Sequence, residues 1–90
     1  MTIYKYDFEV ADTVRSRMPV GAQVLCVQMQ RGIPCIWALV DPKAITEERT
    51  FRVYGTGQQI EKDSVGRYIG TFQMRGGDLV FHLFDVSSSV

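Results

Sequence analysis

The sequence predicts an all-β domain: a small antiparallel sandwich or partly open barrel of six strands, with one or two short helical turns. Residue choice is the first reason. Val, Ile, Thr, Tyr, Phe and Trp supply 33 residues, whereas Ala and Leu together supply eight; the first group suits a pleated surface and the second fills helices. Second, eight Gly and three Pro punctuate the chain into short segments, the pattern of strands joined by turns. Third, no eleven-residue window carries a 3.6-residue apolar period. The 90 residues read as a single β domain, 1–90.

Each strand has its own justification. Thr2–Val10 alternates, with Tyr4, Tyr6, Phe8 and Val10 on one side and Lys5, Asp7 and Glu9 on the other. Ala22–Gln30 and Ile33–Asp41 flank Arg31-Gly32, a two-residue hairpin signal. Cys35-Ile36-Trp37-Ala38-Leu39-Val40 is apolar on both faces, which marks the central strand of a sheet. Arg49–Gly55 alternates Phe51 and Val53 against Arg52 and Tyr54. Arg67–Arg75 and Asp78–Val86 flank Gly76-Gly77, where both residues tolerate the positive φ of a type I′ turn. Of the connections, Ala11–Gly21 and Pro42–Glu48 are each expected to hold a helical turn, at Asp12–Arg15 and Asp41–Ala44, and Thr56–Gly66 is a loop.

Counting outward from the turns fixes which side chains face each other. About Gly76-Gly77, Met74 opposes Leu79, Phe72 opposes Phe81 and Gly70 opposes Leu83, so Met74, Phe72, Leu79, Phe81 and Leu83 form a core face. The reverse face sets Gln73 against Val80, Thr71 against His82 and Ile69 against Phe84, closed by an Arg75–Asp78 ion pair. About Arg31-Gly32, Cys26 opposes Trp37 and Gln28 opposes Cys35. The two cysteines are then diagonal neighbours, a poor match to disulfide geometry.

No motif reaches the specificity of a catalytic signature. His82 is the single histidine and has no ligand-spaced Cys or His partner, so no metal or other cofactor is expected. A strand imidazole bonded to Thr71 is its plainer role. Cys26 and Cys35 sit in apolar strands, where burial raises a thiol's pKa and quiets it. Tyr54-Gly55-Thr56-Gly57 lacks the helix or G-K-[ST] ending of a phosphate cradle; it reads as a strand end with positive φ at Gly55 and Gly57. Glu47-Glu48 and Glu61/Asp63 fall in polar loops rather than across a cleft. The chain is therefore read as a non-enzyme.

Charge and targeting narrow the partner classes. Ten Lys/Arg balance ten Asp/Glu, five against four in residues 1–45 and five against six in 46–90. Phosphate-backbone binding usually needs a basic excess, so nucleic acid is disfavoured, while the absence of long-range repulsion permits self-association. The longest apolar run, Cys35–Val40, is six residues, too short to span a bilayer, and no secretory h-region opens the chain. A cytoplasmic, non-membrane protein is expected.

Ile3-Tyr4-Lys5-Tyr6, the run Pro34 to Pro42, Phe51 to Gly57, Tyr68 to Phe72 and Gly76 to His82 resemble a family of small bacteriophage and prophage proteins, a domain of unknown function. That resemblance implies a genetic setting and no activity. The expected function is a small interaction protein that binds a host macromolecule, or itself, through the mixed face, as a host-takeover or counter-defence inhibitor. The binding residues are expected among Arg52, Tyr54, Gly55, Gly57, Thr71, Gln73, His82 and Phe84. The alternatives are a protein sequestering a small nucleotide-like ligand through the Gly55–Gly57 loop with Arg52, Tyr54 and His82, and a minor phage structural protein.

Overall fold

In the computed structural model, which describes residues 1–87, seven strands follow one another: β1 (Thr2–Asp7), β2 (Thr13–Pro19), β3 (Gln23–Gln30), β4 (Ile33–Val40), β5 (Thr46–Gly55), β6 (Arg67–Met74) and β7 (Leu79–Asp85). They form two antiparallel sheets, one in the order β1-β4-β3 and the other β2-β5-β7-β6. Among the described residues no ladder joins the sheets into a closed barrel. Strand β4, apolar on both faces, is indeed central in its sheet. Val24, Val27, Ile36, Ala38 and Val40 of one sheet pack on Val14, Met18, Phe51, Val53, Phe72 and Leu83 of the other. Tyr6, Phe8 and Val10 border this core, and Phe8 meets Phe72 edge-on with centroids 5.8 Å apart.

Both hairpins have the register that their turns dictate. Arg31 (φ 52°) and Gly32 (φ 79°) join Gln30 to Ile33, and Gln28 faces Cys35 and Cys26 faces Trp37; both thiols are free. Gly76 (φ 65°) and Gly77 (φ 99°) form the type I′ pair, with Asp78 N–H donating to Arg75 O at 3.2 Å. From there Met74–Leu79, Gln73–Val80, Phe72–Phe81, Thr71–His82 and Gly70–Leu83 oppose one another as counted.

Five expectations need correction. The seventh strand, β2, replaces the helical turn at Asp12–Arg15: Val14 and Met18 point inward, but Ser16 occupies the inward position between them and masks the alternation. Asp41–Ala44 is a turn rather than a helix, closed by Ala44 N–H to Asp41 O at 3.0 Å, and β5 starts at Thr46, so Glu47 and Glu48 lie in a strand. Ile69 does not face Phe84, because a bulge lets Ile69 pack toward the core and brings Tyr68 opposite Phe84 instead. Arg75 and Asp78 make no ion pair: Arg75 has a positive φ of 53° and Asp78 is helical, so neither keeps the strand geometry that would aim them at each other. Leu79, at the hairpin tip beyond the facing sheet, is 39% exposed rather than core.

One connection matters for the site. Strands β5 and β6 run parallel on either side of β7, so residues 56–66 must travel the length of the sheet to join them. The inner face is occupied by the other sheet. Asp63 and Ser64 of this connection line a cleft with Arg52, an outward residue of β5, which puts the crossing on the outer side.

Candidate functional site

Parity along β5, β7 and β6 sends Arg52, Tyr54, His82, Phe84, Thr71 and Gln73 to the outer face of the four-stranded sheet, as expected for six of the eight candidates. Their surroundings differ. Tyr54 is only 4% exposed, Arg52, His82 and Phe84 are half-buried, and Thr71 and Gln73 are exposed. Tyr54 lies edge-on to Phe84 at 5.7 Å and Phe84 edge-on to Tyr68 at 5.5 Å, so three rings cross three strands. The Arg52 guanidinium sits 5.4 Å from the Tyr54 ring centre, and its Nε donates to Asp12 O at 3.1 Å. Tyr54 is thus a support for Arg52 and Phe84, not a free contact residue.

Beside the rings runs a line of hydroxyl and imidazole groups. The Tyr68 hydroxyl is 2.6 Å from Thr71 Oγ1, Thr71 Oγ1 is 2.8 Å from His82 Nδ1, and His82 Nε2 is 2.7 Å from Thr56 Oγ1. Two orders satisfy the line: Tyr68 donates to Thr71, Thr71 to Nδ1 and Nε2–H to Thr56, or Thr56 donates to Nε2, Nδ1–H to Thr71 and Thr71 to Tyr68. His82 is therefore held on both sides by hydroxyls, and among the described residues no carboxylate contacts it. The chain of hydrogen bonds fixes side-chain positions across β6, β7 and the loop after β5.

The glycine loop meets this line through the Thr56 hydroxyl, while its two glycines play backbone roles. Gly55 pairs with Phe81 as an ordinary strand end, and its φ is not positive, contrary to expectation; its N–H donates to Gln58 Oε1 at 3.0 Å. Gly57, at φ 87°, is the residue that needs glycine, in a turn closed by Gln58 N–H to Gly55 O at 3.0 Å. Neither glycine lines the cleft of about 450 Å³ that lies at the far end of the β5–β7 ladder among Arg52, Asp63, Ser64, Gly66, Arg67 and Asp85.

The other titratable groups of note stabilise the fold. Asp85 is 2% exposed; burial would raise its pKa, but hydrogen bonds from Ser87 and the Arg49 guanidinium 2.7 Å away outweigh that and hold it below the usual carboxylate value. The Cys35 thiol is pushed up by burial first, then by its 3.2 Å hydrogen bond to Asp7, and it lies on the opposite sheet from His82. Among the described residues no three His, Cys, Asp or Glu side chains converge to hold a metal ion, and no helix is long and apolar enough to cross a membrane.

Sequence reasoning missed Tyr68, Thr56, Arg15 and Arg17. Tyr68 was hidden by the bulge, although the small Gly70 beside it is the residue type that accompanies such irregularities. Arg15 and Arg17 point outward from β2, opposite Thr50 and Glu48, and were hidden by the helical reading of that segment. With them the outer face carries Arg15, Arg17 and Arg52 on the β2 and β5 side of its aromatic row, Arg15 lying 3.8 Å from Glu48. The family model described as Domain of unknown function (DUF7352) matches residues 1–90, and the chain belongs to that family. No curated protein and no solved structure matches it significantly.

Proposed function

We propose that this member of a family with no assigned activity is a non-enzymatic interaction protein that docks a partner protein on the outer face of β2-β5-β7-β6. One observation carries the reading: Tyr68 is 55% exposed, yet its hydroxyl is held by Thr71 and its ring by Phe84. An exposed aromatic already fixed in place loses little rotamer freedom when a partner covers it, and such residues anchor interfaces. Arg17 and Arg52, on the β2 and β5 side of the same face, favour an acidic partner surface and speed its approach, whereas Arg15 is already 3.8 Å from Glu48. In the phage or prophage setting that the resemblance implies, the partner is a cytoplasmic host protein, and docking on it is a way to occlude its own contacts.

The test is affinity capture from a host lysate, followed by rebuilding the complex from purified components. Tyr68→Ala and Thr71→Arg should each weaken the rebuilt complex about tenfold or more, with the melting temperature held. Undiminished affinity in both variants contradicts the reading. A second reading rests on the cleft at Arg52 and Arg67, which among the described residues have no carboxylate within ion-pair distance: it would take a small phosphate-bearing ligand. A nucleotide or cyclic dinucleotide that raises the melting temperature of the native chain, and fails to do so in Arg52→Gln, favours that alternative.

A further inference from the structure

Strand β4 is apolar on both faces, and the sandwich covers only one. Ile36, Ala38 and Val40 are fully buried against the four-stranded sheet. Trp37 and Leu39 point the opposite way, to the centre of the outer face of β1-β4-β3. Ile3 lies beside Leu39 and Cys26 beside Trp37, and Leu25 stands out at a bulge next to Cys26. Ile3 is 56% and Leu25 43% exposed. This face therefore has an apolar centre of Trp37, Leu39, Ile3 and Leu25 flanked by Lys5, Asp7, Gln23 and Gln28, the apolar-core and polar-rim make-up of one half of an interface.

Charge and area say what covers it. The charged pair on the face cancels in place, since Lys5 Nζ is 3.6 Å from Asp7 Oδ1. The chain as a whole carries formal net charge +0, and a neutral face is one that an identical face can approach without repulsion. Arg31 is exposed at the β3–β4 turn and Asp41 just after β4, at opposite ends of the strand. A two-fold axis in the plane of contact and perpendicular to β4 brings the Arg31 end of one copy over the Asp41 end of the other. Three strands at about 4.8 Å spacing and eight residues at about 3.4 Å give a face of roughly 14 by 27 Å. Side-chain relief brings that to about 500 Å² per copy, the low end for specific association, so the contact is weak and concentration-dependent.

We propose that the outer face of β1-β4-β3 packs on the same face of a second copy, forming a weak two-fold dimer. The sheet β2-β5-β7-β6 of each copy then faces outward, so the dimer presents its docking face twice and gains avidity for a multivalent partner.

Trp37 is the single tryptophan and reports the contact without a label. Sedimentation velocity and acrylamide quenching of Trp37 are measured together on the full chain from about 5 μM to 1 mM, spanning the range where an interface of this size associates. The expected result is a weight-average mass rising above 10.2 kDa as quenching falls at least twofold, with half-association near 100 μM by order of magnitude. Ile3→Lys and Leu25→Lys, at exposed positions that leave the core intact, should abolish both changes. A mass fixed at 10.2 kDa throughout overturns the proposal. So does a dimer that survives both substitutions, or a blue shift of Trp37 emission on phosphatidylglycerol vesicles while the protein alone stays monomeric.

Discussion

Asp85 shows how one residue holds an end of the sandwich together. Its carboxylate takes Arg49 Nη2 at 2.7 Å and Ser87 N–H at 2.9 Å, while Arg49 Nη1 reaches Ala22 O at 2.8 Å just before β3. The cluster therefore ties the four-stranded sheet to the three-stranded one. Arg49→Met leaves the buried carboxylate without its cation and should cost about 3–5 kcal/mol in chemical denaturation, a large share of the roughly 5–15 kcal/mol available to a domain. The double variant Arg49→Met/Asp85→Asn should lose less than Arg49→Met alone. The pH dependence has a definite sign. Because the folded pKa of Asp85 lies below its unfolded value, its contribution is present above the unfolded pKa and disappears as pH falls through the folded one. Asp85→Asn should flatten that acid limb of the stability profile. None of this was legible in the sequence, where Arg49 and Asp85 are 36 positions apart and alternation says which way each points but not what it meets.

At the level of elements, legibility followed the turns. Arg31-Gly32 and Gly76-Gly77 each specify a turn and hence a register, so pairs as far from the bend as Gly70–Leu83 could be counted correctly. The count failed at Ile69, where an apolar side chain gains more by turning inward than the ladder loses to a bulge. It also failed at β2, an edge strand with only Val14 and Met18 to mark its inner side. Gly70 marks a close approach of the two sheets: a Cβ there would stand 2.8 Å from Val27 Cγ1 on β3. Its φ is not positive, so Gly70→Ala tests space rather than backbone strain. That substitution should destabilise the domain by about 1–3 kcal/mol, and the penalty should shrink in a Val27→Ala background, read as a coupling in a double-mutant cycle. Equal penalties in both backgrounds would show that the sheets separate freely at this point.

As a whole the molecule is a thin sandwich, with Cα extents of 39 × 33 × 16 Å, whose two outer faces have different chemistry. Most of the core and the parity of the mixed face could be read from the chain. The strand order, the crossing of residues 56–66 and the outward arginines of β2 could not, because alternation is blind to which strand lies next to which. One face is aromatic and hydroxyl-bearing with arginines on its β2 and β5 side; the other is apolar around Trp37. The two faces have separate tasks, so Tyr68→Ala should weaken partner binding without changing self-association, and Leu25→Lys should abolish self-association while leaving the affinity for a monovalent partner unchanged. The most direct measurement is the map of backbone amide signals in the isotopically labelled chain as the purified partner is added at a protein concentration low enough to keep it monomeric. The account predicts that the perturbed amides cluster on β5, β6 and β7 around Arg52, Tyr68, Thr71 and His82. Perturbations confined to β1, β3 and β4, with Tyr68 and Thr71 unmoved, would contradict it.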